Sequence, residues 1–353
     1  MDATTKHMTG RERVTRTLNF QCPDRVPRDL WHLPGVERFR KKELDETIAA
    51  YPVDIVHPYS PYAPGKKTSG ERYRKDQTAV DEWGCEWWVA EDGVAGEVKK
   101  PPLRRVEDVH TLEAPYEILE GADYASIDTF CSKSDQFVVA WTRVRPFERM
   151  QFLLGTETLF IELAQQNRHL YELREIIHAF FAAELQLWAN TSVDGIMFMD
   201  DWGAQQSLLV SPELWRTFFK PLYKDYCTLI HGSNKYVFFH SDGYIEAIYD
   251  DLIDIGVDAI NSQLFCMPIE QLGVTYKGRI TFWGEIDRQR LLPFGNHKEI
   301  AQAVKRVKEA LWSPSGGIIA QCEFGLKDPS ENIRSVFETW ERLTRSSAPA
   351  AQG

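Results

Sequence analysis

Six short apolar runs in this sequence each end in side chains able to do chemistry. Thr142 and Arg143 follow residues 137–141, Asp200, Asp201 and Trp202 follow 195–199, and His240, Ser241 and Asp242 follow 236–239. Asn261, Gln263 and Cys266 come after 258–260, Glu285 and Asp287 after 280–283, and Cys322 with Glu323 after 317–321. His240, Cys266 and Cys322 make the sharpest group: an imidazole and two thiolates hold Zn²⁺ tetrahedrally with a position left open, and Asp242 offers a fourth ligand. The spacings are long, so the same residues also suit an isolated hydrogen-bonding histidine beside two buried thiols. Cys22, Cys85, Cys131 and Cys227 fall on or beside expected helices, turns or a hairpin and read as packing residues.

Asp200 and Asp201 close one strand, where alternation sends one side chain inward and the other sideways. The inward one is a candidate general acid or hydrogen-bond acceptor for substrate, and the other would accept from loop backbone N–H groups. Glu285 with Asp287 repeats that arrangement. Trp202, Trp283, Phe265 and Tyr59 either line a pocket for a flat, apolar substrate or pack in the core; Gln263 adds a polar group and Arg143 a cation. Because all follow strands at the same end, Asp201, Trp202, Arg143 and Glu285 are expected to face one cleft.

Strand ends meet only if the strands are parallel. The apolar runs at 29–32, 54–57, 137–141, 195–199, 236–239, 258–260, 280–283 and 317–320 alternate, from 137 onward, with helical patterns. Eight such strands predict a closed (β/α)8 TIM barrel of the α/β class, with chemistry at the C-terminal ends. An open doubly wound sheet lacks its usual support, since no Gly-x-Gly-x-x-Gly follows any run. The N-terminal extension is irregular: a helix over 9–18 stopped by the turn 22–27, then an aromatic β-hairpin from 81–89 and 96–99 around Asp92-Gly93. Residues 1–345 are expected to form one domain and 346–353 a disordered tail.

Composition narrows the class. The 353 residues are 43% hydrophobic and 26% charged, as in globular proteins. Forty-one Lys and Arg against 52 Asp and Glu give a formal charge of −11 with no basic cluster, which argues against nucleic acid as a partner. No run approaches the roughly 18 apolar residues of a membrane span, and the first residues lack a signal-peptide core, so a cytoplasmic protein with free cysteines is expected.

Several segments carry a likeness. Thr9-Gly10-Arg11-Glu12-Arg13-Val14 with Asp24-Arg25-Val26-Pro27, Phe198-Met199-Asp200-Asp201-Trp202-Gly203 and Ser211-Pro212-Glu213-Leu214-Trp215 are three. Phe239-His240-Ser241-Asp242-Gly243, Phe282-Trp283-Gly284-Glu285-Ile286-Asp287 and Asp328-Pro329-Ser330-Glu331-Asn332-Ile333 are three more. Together they resemble the uroporphyrinogen decarboxylase superfamily over nearly the whole chain, and within it the branch of corrinoid-dependent methyltransferases. The decarboxylase pattern has an Arg-Gln-Ala-Gly-Arg-Tyr segment whose arginines hold an acidic tetrapyrrole; here the region reads Arg28-Asp29-Leu30-Trp31-His32. Thiol-methylating members carry His-x-Cys after the fifth strand and Cys after the eighth as zinc ligands. His240 and Cys322 match, but Asp242 stands at the middle position, so either Asp242 or Cys266 completes the set, or the site is metal-poor and polar.

The resemblance implies a (β/α)8 barrel that moves a methyl group between a small-molecule methyl donor or acceptor and the cobalt of a corrinoid. The corrinoid would be carried by a separate protein docking at the barrel mouth, and zinc would act as Lewis acid. A hard Asp ligand favours an oxygen-containing substrate, which makes O-demethylation of a methoxylated aromatic the first expectation. Two alternatives stand beside it: a cofactor-free decarboxylase using Asp200 or Asp201 with Arg143, and a barrel that binds corrinoid or tetrapyrrole without turnover. The oligomeric state stays open, a homodimer included.

Overall fold

The computed structural model describes residues 8–345; the expected tail at 346–353 lies outside them. Eight parallel strands make one sheet: β1 (Arg28–His32), β2 (Ile55–Val56), β3 (Phe137–Trp141), β4 (Gly195–Met199), β5 (Tyr236–Ser241), β6 (Ala259–Ser262), β7 (Thr281–Trp283) and β8 (Ile318–Phe324). The order β1-β8-β7-β6-β5-β4-β3-β2 steps round by one strand at a time. Asp54 N–H donates to the Arg28 carbonyl (2.8 Å) across the remaining seam and closes the ring. This is the (β/α)8 TIM barrel expected from the alternation of runs and helices.

The strands are apolar on both faces because each face is covered. Inside the ring, Trp31, Phe137, Val139, Met197, Phe238, Trp283 and Ile319 fill the lumen, and Val14 and Leu18 from helix Gly10–Leu18 plug its lower end. That helix starts where Thr9 Oγ1 accepts from Glu12 N–H (3.1 Å), an N-cap bond. Its Arg13 reaches Asp24 and Asp54, while Arg25 and the Arg28 N–H also bind the Asp54 carboxylate (2.6 and 2.8 Å). Asp54 thereby ties the plug helix to the β1/β2 seam. Outside the ring, the opposite strand faces pack on the helices in the larger core.

Two expectations about strands need correction. The run 81–89 is not one strand of a hairpin. Asp81 Oδ1 accepts from the N–H groups of Trp83 and Cys85 (3.0 and 2.9 Å), and Gly84 takes φ +94°, so the chain turns there. The result is a four-stranded antiparallel sheet of Ser69–Gly70, Thr78–Val80, Glu86–Trp88 and Glu97–Lys100. It docks on the barrel through Asp81 Oδ2, which accepts from Trp87 Nε1 and Arg149 Nη1 (3.1 and 2.9 Å), and through buried Trp83 against Phe180. Further along, β5 and β8 run beyond the ends of their apolar stretches, to Ser241 and Phe324. Among the described residues no helix is long and apolar enough to cross a membrane.

Candidate functional site

Register brings the chemistry together at the upper rim. Met199 on β4 lies opposite His240 on β5, and His240 opposite Asn261 on β6. Asn261 Nδ2 donates to the Trp283 carbonyl (2.5 Å) and to Gln321 Oε1 (3.1 Å), which fixes the amide so that Oδ1 faces His240. His240 Nδ1–H donates to that oxygen (2.6 Å). In the neutral ring the lone pair is therefore on Nε2, the arrangement of a metal-ligating histidine with a bound outer partner. Nε2 looks toward Asp242 Oδ1 (3.5 Å) and Asp201 Oδ1 (3.6 Å).

The alternation argued for the Asp pair holds. Asp200 turns into the helix layer, fully buried, and accepts from the N–H groups of Phe147 and Glu148 (2.7 and 2.8 Å) and from Tyr223 OH (2.6 Å). It thus satisfies the first turn of helix Pro146–Leu154, which has no cap of its own, and is removed from the catalytic candidates. Asp201 faces the mouth, its side chain 43% exposed, and Oδ1 also accepts from Asp242 N–H (3.0 Å). Two glycines set this approach. Gly203 N–H donates to the Asp242 carbonyl (3.0 Å), and Gly243 has φ +76°, where a Cβ would lie 2.2 Å from the Gly203 oxygen. No side chain fits between the two loops, so Asp201 and Asp242 are held side by side.

Among the described residues, Asp201, His240 and Asp242 are the group whose ligand atoms converge tightly enough to hold one cation. One oxygen of Asp242, Oδ1, is buried without a hydrogen-bond partner, while Oδ2 pairs with Arg288. The expected thiols are not in this group. Gln321 points into the ring, where it accepts from Asn261, so its neighbour Cys322 points out into the helix-facing core. Burial pushes the Cys322 thiol well above its ordinary range, and the carboxylates of Asp328 and Asp29 add to this. Cys266 sits past β6 on a short turn of helix, with Sγ donating to Gln263 Oε1 (3.4 Å) and accepting from Gln205 Nε2 (3.4 Å).

The other predicted residues are spread over five places rather than gathered in one cleft. Trp202 is fully buried in the helix layer, stacked on Phe147 at 4.1 Å, and Trp283 is in the lumen with Nε1 donating to Asp29 (2.8 Å). Tyr59 is 90% exposed. Glu285, Gln263, Phe265 and Cys266 line a small 80 Å³ pocket beside Arg288. There burial pushes the Glu285 carboxyl up to about 8, against the pull of Arg288 and with repulsion from Asp242, Glu323 and Asp287. Arg143 lines a different and larger cavity of about 740 Å³ between the four-stranded sheet and helix Pro146–Leu154. It is paired with Glu82 (2.9 Å) and lies over Tyr62.

Four functional candidates lay outside the sequence expectation. Arg288 gathers Asp242, Glu323 and Glu285 from three strand ends, and its i+3 spacing from Glu285 was the available signal. Glu148 is half-buried between the large cavity and the His240 group, with Oε2 buried and unpartnered. Burial raises it to about 7, with Arg145 opposing and Asp201 reinforcing the shift. Trp31 and Trp141 join the two regions: Trp141 lines the cavity, stands 5.0 Å from Trp31, and Trp31 stands 5.2 Å from His240.

No protein-family model and no curated protein sequence matches the chain. Among solved structures it is similar to a methyltransferase from Methanosarcina mazei, with TM-score 0.71 and 15% identity over 95% of this chain and 99% of that one. Weaker likenesses are to an endo-beta-1,4-xylanase from Gloeophyllum trabeum (TM-score 0.45, 9% identity, 92% and 98% covered) and to a D-psicose 3-epimerase (0.39, 10%, 67% and 84%). The likeness to the Methanosarcina mazei structure identifies the fold of the chain as a (β/α)8 TIM barrel.

Proposed function

We propose that the chain is a methyltransferase that moves a methyl group between a small methylated substrate and the cobalt of a corrinoid carried by a separate protein. The motif likeness and the full-length similarity to the Methanosarcina mazei methyltransferase support the class. The observation that carries the site is the unpartnered, buried Asp242 Oδ1 facing a His240 Nε2 whose lone pair Asn261 directs toward it. His240, Asp242 and Asp201 would hold the zinc ion, and neither Cys322 nor Cys266 belongs to the set.

One nitrogen and two carboxylates are a harder set than histidine with two thiolates, which favours a substrate whose methyl sits on oxygen. A bound zinc ion supplies Lewis acidity toward that oxygen. The chain's own residues do the positioning: Asn261 orients His240, the Gly203–Gly243 contact sets the carboxylate spacing, and Arg288 occupies the second oxygen of Asp242. O-demethylation of a methoxylated aromatic is the reading that follows. The decarboxylase alternative is weakened because the Arg143 guanidinium meant to hold a carboxylate is paired with Glu82.

The test is metal content of the purified chain together with methyl transfer to free cob(I)alamin from a panel of methoxylated aromatics and methylamines. Stoichiometric zinc and transfer from a methoxy compound, both lost in His240→Ala and retained in Cys322→Ser, are expected. Transfer that survives His240→Ala, or metal lost with Cys322→Ser, would refute this centre.

A further inference from the structure

The large cavity has a charge pattern that selects a ligand. Three of its four lining arginines are matched: Arg143 with Glu82 (2.9 Å), Arg149 with Asp81 (2.9 Å) and Arg145 with Glu148 (3.5 Å). Its third acidic residue, Glu97, has Lys99 at 2.5 Å. Arg72 is left over. Among the described residues it has no carboxylate partner; its guanidinium lies 4.5 Å over the Trp87 ring, and its Nε is buried without a hydrogen-bond partner. A half-buried guanidinium with an unpartnered, buried Nε is a fork for a carboxylate, and the ring beneath it holds the fork flat.

The remaining walls are aromatic. Trp87, Tyr62, Tyr73, Phe152 and Trp141 line the space, which at about 740 Å³ has the size of a small-ligand site. Trp141 and Glu148 are on the wall nearest the His240 group, while Arg72 comes from the four-stranded sheet side. A molecule spanning the cavity would put an anionic end on Arg72 and its other end toward His240. We infer that this cavity binds a flat aromatic carboxylate, with Arg72 as the anion-recognising residue and Trp141 against the ring face. Only its use as the substrate chamber rests on the methyltransferase reading; the binding does not.

The experiment is equilibrium binding to the full chain, by calorimetry with tryptophan fluorescence, of 4-methoxybenzoate and of uncharged methoxybenzene. One 4-methoxybenzoate per chain is expected, bound at least tenfold more tightly than methoxybenzene. Arg72→Gln should remove that preference and leave methoxybenzene unchanged, Arg72→Lys should restore part of it, and Trp141→Ala should weaken both ligands. Circular dichroism melts of each variant matching the parent confirm that folding is retained, as expected for a half-buried loop arginine. Equal affinity for the two ligands, a preference that survives Arg72→Gln in a folded protein, or binding indifferent to Trp141→Ala would overturn the assignment. Binding as stated with no methyl transfer from 4-methoxybenzoate would instead refute the reaction and leave the pocket standing.

Discussion

Replacing Asn261 by alanine tests the logic of the site most directly. The wild-type amide serves three buried groups, His240 Nδ1–H, the Trp283 carbonyl and Gln321 Oε1, and Asn261 itself is fully buried. A buried polar group stripped of its partner costs about 1–3 kcal/mol. Three of them, partly relieved by water entering the vacated polar space, should lower stability by about 2–4 kcal/mol. The same change removes the acceptor that directs the His240 lone pair to Nε2, so zinc affinity should fall about 10- to 100-fold. Urea denaturation reads the first effect and competitive zinc titration the second. Nitrogen-15 NMR of neutral His240 should show the proton on Nδ1 in the parent and a mixed tautomer in Asn261→Ala. A parent with the proton on Nε2, or a variant within 0.5 kcal/mol of the parent on the ~1 kcal/mol scale of one hydrogen bond, would refute the reasoning.

Glu285 has a folded-state pKa raised to about 8 by burial, so the folded protein holds a proton that the unfolded chain has released above its ordinary range near 4.5. Its contribution is therefore fully favourable below pH 4.5 and is lost as pH rises toward 8; Glu285→Gln should flatten that part of a stability-versus-pH curve, and parallel curves would contradict the burial argument. Gly243→Ala drives a Cβ to 2.2 Å from the Gly203 oxygen and should reduce zinc binding at least tenfold with the barrel still folded, as judged by titration and circular dichroism; unchanged binding would show that the loops have slack. Asp54→Ala strips the nearly buried Arg13 of one of its two carboxylates and the β1/β2 seam of an acceptor. A loss of about 3–5 kcal/mol is expected in urea melts, and a loss below 1 kcal/mol would show that the seam does not depend on it.

The barrel was legible because its lower and middle layers are apolar: β3 and β4 coincide with their apolar runs, Phe137–Trp141 and Gly195–Met199. The upper layer was harder to read because hydropathy stops before the hydrogen-bond ladder does. In β5 and β8 the last rungs carry His240, Ser241 and Gln321, polar residues that stay buried by bonding one another or a neighbouring loop across the rim. Ending β8 too early made Cys322 look like a strand-end ligand. Counting alternation from Ile319, which faces the lumen, puts Gln321 inside and Cys322 outside. The Asp200 and Asp201 division was readable from the same period of two. The large cavity was not, because it lies between segments far apart in sequence and its free cation, Arg72, sits in a stretch with no periodicity to place it.

The excursion between β2 and β3 has a thermodynamic meaning for how such barrels diversify. Residues 57–136 leave the ring and return to pair Ile55 with Phe137. Closing about eighty residues instead of the dozen or so of a minimal helical crossover adds only about 1.7 kcal/mol of loop entropy, because that term grows with the logarithm of length. This is comparable to burying one leucine side chain, and the excursion buries Trp83 and most of Trp87. A barrel can therefore acquire an entire new cavity wall at a single connection with little net penalty, and the wall can be rebuilt by mutation, insertion or exchange while the ring beneath it keeps its register.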